Sequence, residues 1–478
     1  MKNRTLFFTL STIGIALLSV PLTGCGYLRA HAAKAAYNEY QQALGAGDTA
    51  GARTALLKLV RADEDVADYW IELGKLQLQM GRYREAYDAF SHAHELDRTD
   101  VQVLATMAQM ALMSGDIDTA EQHSRAISLL SPSNPTVTLV QGYVAFKQGD
   151  LDKADAAAQQ ILASAPTDSF AAVLKSRVLI ARNQVDDAIK VLEAQHEAVP
   201  QDRSAIHGLT NLYQLKGDWR NAARIAFDAH KLDPRNGALT LDVVRALLKG
   251  GNISGASKMS APLLSPTAPP LLVQKTLESW AADAPRGTFL PNGEALAKAV
   301  DGDRRASFAE YYNRLDKPAV AESLLQGSQL PVTHENARWN AVFAQALALQ
   351  GKASDARQLF DLVLQREPDQ VDALRGRIAL NVKTGGAKQA VVDAQRLVTI
   401  SPDSGQDRLL LAQAYLSAGN RDEVRRTLWQ AFQDLPGDER VLSALKSVLA
   451  STGDTDGQRR LDEEFKDRRI AKMTKELV

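Results

Sequence analysis

The chain has 478 residues, 56 Lys and Arg against 57 Asp and Glu, 6% aromatic residues and a single cysteine. That length exceeds what one compact core normally holds and leaves several domains or a repeat array. The near-neutral charge excludes the general basicity of a nucleic-acid binder, and abundant Ala and Leu with few aromatics favour helices over strands.

In chain order, Lys2 and Arg4 precede an uncharged apolar run from Leu6 to Val20, the layout of an export signal. At about fifteen residues the run is shorter than the roughly twenty needed to cross a bilayer as a helix, so it predicts targeting and not a membrane span. Leu22-Thr23-Gly24-Cys25 closes it. That closing sequence resembles the bacterial lipobox. The resemblance implies a cleaved signal peptide at 1–24, an acylated Cys25 as the first mature residue, and a lipidated tether at 25–32. The covalent lipid on Cys25 is the only cofactor expected. Several acyl chains, at about 0.8 kcal/mol per buried CH₂, make such an anchor permanent. Gly26 stands where many inner-membrane lipoproteins carry Asp, which implies the outer membrane, facing the periplasm. Conventional cleavage near Ala30-His31-Ala32 is the alternative.

Beyond the tether, Pro132, Pro166, Pro200 and Pro234 fall 34 residues apart. Ala86, Ala120, Ala154, Ala188 and Ala222 share the interval, as do Gly81, Gly115 and Gly149, then Asn183 and Gly217. Each unit reads as two amphipathic helices. The glycine ends the first in a left-handed conformation, the alanine lets the pair approach closely, and the proline marks the end of the unit. In the unit at 67–100, Trp70, Leu73, Gly74, Ala86, Phe90 and Ala93 resemble the signature of the tetratricopeptide repeat (TPR), with Gln77 and Arg98 departing from it. The resemblance implies an all-α superhelical solenoid of about 11–13 helix-turn-helix repeats.

Seven units fill 33–270. Six prolines between Pro262 and Pro291 blur the period, so 271–301 is expected to be an irregular helical linker. A second array over 302–478 resumes the period at Gly351, Gly385 and Gly419, with Pro368, Pro402 and Pro436 again 34 apart. It ends in a charged helix whose outer face is expected to meet water, as a solenoid end requires.

Nothing in the sequence spells catalysis. His92 and His94 are two apart and fall on different helix faces. No HExxH, CxxC or phosphate loop is present, and Gly351-Lys352 lacks the residues a P-loop requires. A non-enzyme without a metal site is expected, working by binding. In TPR arrays the first helix of each pair lines a concave groove, and the family's groove positions imply Lys75, Gln109, Tyr143, Phe146, Lys147, Arg177, His207, Asn211, Arg245 and Lys249. Asp68 is the only acid at those positions in the first array. An electropositive, partly aromatic groove is therefore expected, suited to an acidic peptide or an anionic polysaccharide. The later array, with Arg338, Gln345, Arg375, Lys383, Gln413 and Asp372 at the same positions, is more mixed.

The long lipoprotein array resembles those of exopolysaccharide-secretion and exosortase-type systems. It implies an outer-membrane-anchored periplasmic scaffold for envelope protein partners, reaching the membrane through its lipid and binding no nucleic acid. A pilotin-like or outer-membrane assembly factor, resembling shorter lipoproteins, is the alternative. An envelope enzyme with a hidden site is the third reading.

Overall fold

The computed structural model describes residues 24–435 and 437–475, with side chains over 31–435 and 437–465; the expected signal peptide and Pro436 fall outside. Among the described residues there are 26 α-helices, one short 3-10 helix and no strand. Local chemistry explains the punctuation. Asp100, Asn134, Asp168, Asp202 and Asn236, each 34 residues after the last, accept a first-turn backbone N–H at 2.8 to 3.0 Å. Each such N-cap contributes about 1 kcal/mol. Gly217 ends its helix in the left-handed conformation at φ 71°. Asn183 takes the same conformation at φ 60°, as the side chain best able to replace glycine there. The periodic alanines 86, 120, 154, 188 and 222 are fully buried, which fits a close helix–helix approach.

The chain divides into two compact units, 1–144 and 145–478. In the first, helices Gly24–Gly45 and Thr49–Ala62 pair, as do Ala67–Gln79 with Tyr83–Leu96 and Val101–Met113 with Ile117–Leu130. Tyr40, Leu56, Leu59 and Leu73 form one core there, and Phe90, Ala93, Val103 and Met107 another. Residues 25–32, read from the sequence as a tether, are already helical within Gly24–Gly45. The alanines of that stretch are strong helix formers and outweigh Gly26.

In the second unit the pairs continue from Ser169–Ala181 with Val185–Ala198 to Glu439–Ser451 with Thr455–Lys475. Helix Ile253–Ser260 is cut short before Pro262, and the 3-10 turn Pro262–Leu264 leads through a loop into Pro270–Asp283. The stretch 271–301 joins the stack instead of merely connecting arrays. Val273, Leu277, Trp280, Leu290, Ala297 and Val300 belong to a single core running from Leu241 to Ala414. Further along, a Cβ on Gly376 would stand 2.3 Å from Phe360 Cζ. That close approach outweighs the roughly 1 kcal/mol that glycine costs inside a helix.

The last helix, Thr455–Lys475, packs on Glu439–Ser451 through fully buried Leu461. It also packs against Ser169–Ala181, so its outer face does not meet water alone. The reason is curvature: successive repeats of this unit rotate until the final helix returns to its first full pair.

Candidate functional site: the interior of the second unit

The ten expected groove residues do not gather at one place. Lys75 is exposed and ion-paired with Glu72 at 2.8 Å. Gln109 is half-buried and Tyr143 buried. These three belong to the unit 1–144, and no shared site with the rest follows. In the other unit Phe146 and Asn211 are half-buried, Lys147 and His207 exposed, and Arg177 buried. Arg245 and Lys249 come together in an open cavity of about 1710 Å³ lined by residues between Gln214 and Arg440. Cys25 lies in the first turn of Gly24–Gly45, and its side chain is outside the described residues.

One turn of helix Gly237–Lys249 separates the two cavity cations. Arg245 donates from Nε to Ser279 Oγ at 3.1 Å. The Lys249 ammonium stands 4.6 Å from the Trp219 ring centroid and 3.8 Å from Asp283. Such a cation over an indole face is worth about 0.5–1 kcal/mol where solvent reaches it. The lining carries carboxylates at Asp242, Glu278, Asp283, Asp403, Asp434, Asp438 and Glu439, and cations at Arg245, Lys249, Arg314, Arg375 and Arg440. The interior is therefore mixed and slightly acidic, where the first array's groove positions predict a positive surface. The acids enter from outside the family's groove positions, as with Asp242, and from later repeats that face across the cavity. Burial pushes the carboxyls of Asp242 and Asp283 above their ordinary values, against the opposing pull of Arg245 and Lys249.

A second, smaller cavity of about 220 Å³ lies along the first helices of the later repeats, where Glu310, Asp372 and Arg375 meet Gln345 and Lys383. Beneath it runs a ladder of buried ion pairs. Arg314 and Arg338 reach Glu310 at 2.6 and 2.9 Å. Arg338 Nε also donates to Asp372 at 3.1 Å, and its Nη1 to Ser307 Oγ at 3.0 Å. Arg375 grips the fully buried Asp407 with two bonds, at 2.6 and 2.8 Å. Burial and the neighbouring Glu310 charge raise the Asp372 carboxyl above its usual range. Burial acts the same way on Glu310, but Arg314 and Arg338 outweigh it and hold that carboxyl low.

Arg314 and Arg375 line both cavities and connect the ladder to the interior. Only the ladder's 34-residue step from Arg338 to Asp372 was legible in the sequence. Among the described residues no cluster of side chains is disposed to hold a metal ion, and no helix is long and apolar enough to cross a membrane. What the arrangement offers is a fixed set of charged donors and acceptors of both signs beside one indole face. A polypeptide, which presents N–H, C=O and side chains of both charges, matches such a set.

Residues 32–172 match the family described as Cytochrome c-type biogenesis protein H TPR domain, and residues 145–212 match a Tetratricopeptide repeat family. No curated protein matches the chain. Among solved structures, the MamA protein is 19% identical over 35% of this chain and 92% of its own, with a TM-score of 0.29. PilW, a type IV pilus biogenesis factor, is 14% identical over 45% and 96%, at 0.31. Pseudomonas aeruginosa pilF is 18% identical over 45% and 96%, at 0.30. The 34-residue period, the helix pairing it produces and the family matches over 32–212 give this chain the tetratricopeptide-repeat fold.

Proposed function

We propose that this protein is a non-catalytic scaffold that holds a polypeptide segment of a cell-envelope partner in the interior of residues 145–478. The observation that carries the reading is the roughly 1710 Å³ cavity lined by both signs of charge and by Trp219. Its excess of carboxylates disfavours an anionic polysaccharide as the direct ligand, because like charge repels a polyanion at this range. Neutralising the two cations with Arg245→Gln and Lys249→Gln should weaken co-purification of the envelope partner by about tenfold, equivalent to 1.4 kcal/mol. Helicity should stay unchanged, since both side chains reach solvent at the cavity wall and neither belongs to the apolar core. Undiminished capture would remove the interior from the function.

The scaffold is anchored by acyl chains on Cys25 at the periplasmic face of the outer membrane and serves exopolysaccharide export or the assembly of its biosynthetic complex. The lipobox-like Leu22-Thr23-Gly24-Cys25 supports the anchor. The pathway rests on the resemblance of the long array. The variant Cys25→Ala should no longer incorporate radioactive palmitate or fractionate with outer membranes. A variant that still does both contradicts the anchor while leaving the interior reading intact.

A further inference from the structure

The smaller cavity, of about 220 Å³, has an apolar side. Three successive first helices, Ala337–Leu349, Val371–Thr384 and Gly405–Ser417, contribute Ala348, Leu349, Ala379, Leu380 and Leu410 to it. Leu349 is 41% exposed and Ala379 is exposed too, so this wall is open to an incoming group. A leucine left facing water in a cavity gains from any apolar group that covers it. The lining contains no aromatic residue, which makes the wall aliphatic in shape.

The polar groups around that wall divide into spent and unspent. Arg314 is bonded to Glu310 at 2.6 Å, and Arg375 to Asp407 at 2.6 and 2.8 Å. Gln345 donates from Nε2 to the Asp372 carbonyl at 2.7 Å. Lys383, exposed near the end of Val371–Thr384, has no ion-pair or hydrogen-bond partner among the described residues, and neither has the Gln406 amide. Asn313 is only 7% exposed; it donates from Nδ2 to the Val342 carbonyl at 3.1 Å, while its buried Oδ1 accepts nothing. A buried acceptor left unpaired is costly, and a donor delivered into the cavity would relieve it. An apolar wall with a few unspent polar groups is the usual make-up of a ligand pocket.

Charge narrows the occupant. Glu310 and Asp372 stand against Arg314, Arg375 and Lys383, so cations outnumber carboxylates here, the reverse of the larger cavity. Arg314, Arg375 and Gln406 line both spaces, which therefore adjoin.

We infer that the smaller cavity is an anchor pocket for an aliphatic side chain of the bound polypeptide, with Lys383 receiving a neighbouring acidic residue and the Gln406 amide its backbone. The inference rests on the reading of the larger cavity as a polypeptide site, and it names the sequence that site selects.

Random peptides displayed on phage, selected against the full chain and three variants, test it. The unaltered chain should recover peptides that share an aliphatic residue adjoining Asp or Glu. Ala379→Phe fills the pocket from an exposed position and should weaken binding of a synthetic peptide of the recovered sequence by about tenfold, as expected when an aliphatic side chain is shut out. Lys383→Glu, at the surface and with no partner to lose, should keep the aliphatic residue and exchange the acid for Lys or Arg. Recovered peptides without an aliphatic residue, unchanged affinity in Ala379→Phe, or an unchanged acid preference in Lys383→Glu overturns the inference. The third variant, Arg245→Gln with Lys249→Gln, separates the two readings. If it loses the peptides while Ala379→Phe and Lys383→Glu select as the unaltered chain does, the anchor pocket fails and the interior site stands. If the unaltered chain selects no peptide, both fail.

Discussion

Trp280→Ala should lower the unfolding free energy of the second unit by about 3–5 kcal/mol, the range for emptying a large buried aromatic site. Trp280 is fully buried, and its Nε1 donates to Ser260 Oγ at 2.9 Å. Ser260 in turn donates to the Ala256 carbonyl at 2.8 Å. The substitution therefore removes an indole and one hydrogen bond together, where the truncated helix Ile253–Ser260 meets Pro270–Asp283. Trp280→Phe should recover part of the loss by refilling volume, but not the hydrogen bond. The urea midpoint of the full chain reports both. A loss under about 1 kcal/mol would mean that 271–301 is a peripheral connector after all.

Arg338→Met should be comparably severe, at about 3–5 kcal/mol, because it strands Glu310 and Asp372 as buried carboxylates without their shared cation. The size of the effect should depend on pH. The Asp372 carboxyl is raised first by burial and then by Glu310. A carboxyl that binds its proton more tightly in the fold stabilises the fold fully below its unfolded pKa. That contribution is lost as pH climbs through the folded value. Removing Arg338 lifts the Asp372 carboxyl further and takes away one of the two cations that hold Glu310 low, so the variant should lie closer to wild type in mild acid than at neutral pH. Denaturant midpoints of the two proteins across that range check the sign. Pairing Arg338→Met with Asp372→Leu should restore much of the stability, since a buried ion pair exchanged for apolar side chains is often neutral.

Much of the fold was legible because a repeat writes the same local chemistry many times. Gly217 and Asn183 mark the left-handed turns, and the periodic alanines are the fully buried contact points. The N-caps at 100, 134, 168, 202 and 236 carried the same 34-residue signal, as short polar residues just ahead of each first helix. The irregular middle was less legible. Six prolines erase the period there, and the burial of Trp280 depends on a partner twenty residues away across a broken helix.

The site was legible only in part, for a physical reason. Repeat register names the residues on one helix face, but the charge of a cavity also depends on the residues that look across it. Arg245 and Lys249 were found by register. Asp403, Asp434 and Asp438 were not, because they reach the cavity only through the curvature of the whole stack. Arg177 shows the same limit from the other side. Its position predicts an open groove cation, and the return of Thr455–Lys475 against its helix is a long-range contact that no local pattern encodes.

The central claim, that a polypeptide partner is held inside residues 145–478, is tested most directly by photo-crosslinking in the native envelope. A crosslinking residue in place of Gln214, on the cavity wall, is compared with one in place of the exposed Gln160, outside it. The account predicts a discrete adduct from position 214, identified as peptide by mass spectrometry, and none from position 160. A carbohydrate adduct at 214, or the same adducts from both positions, would contradict it.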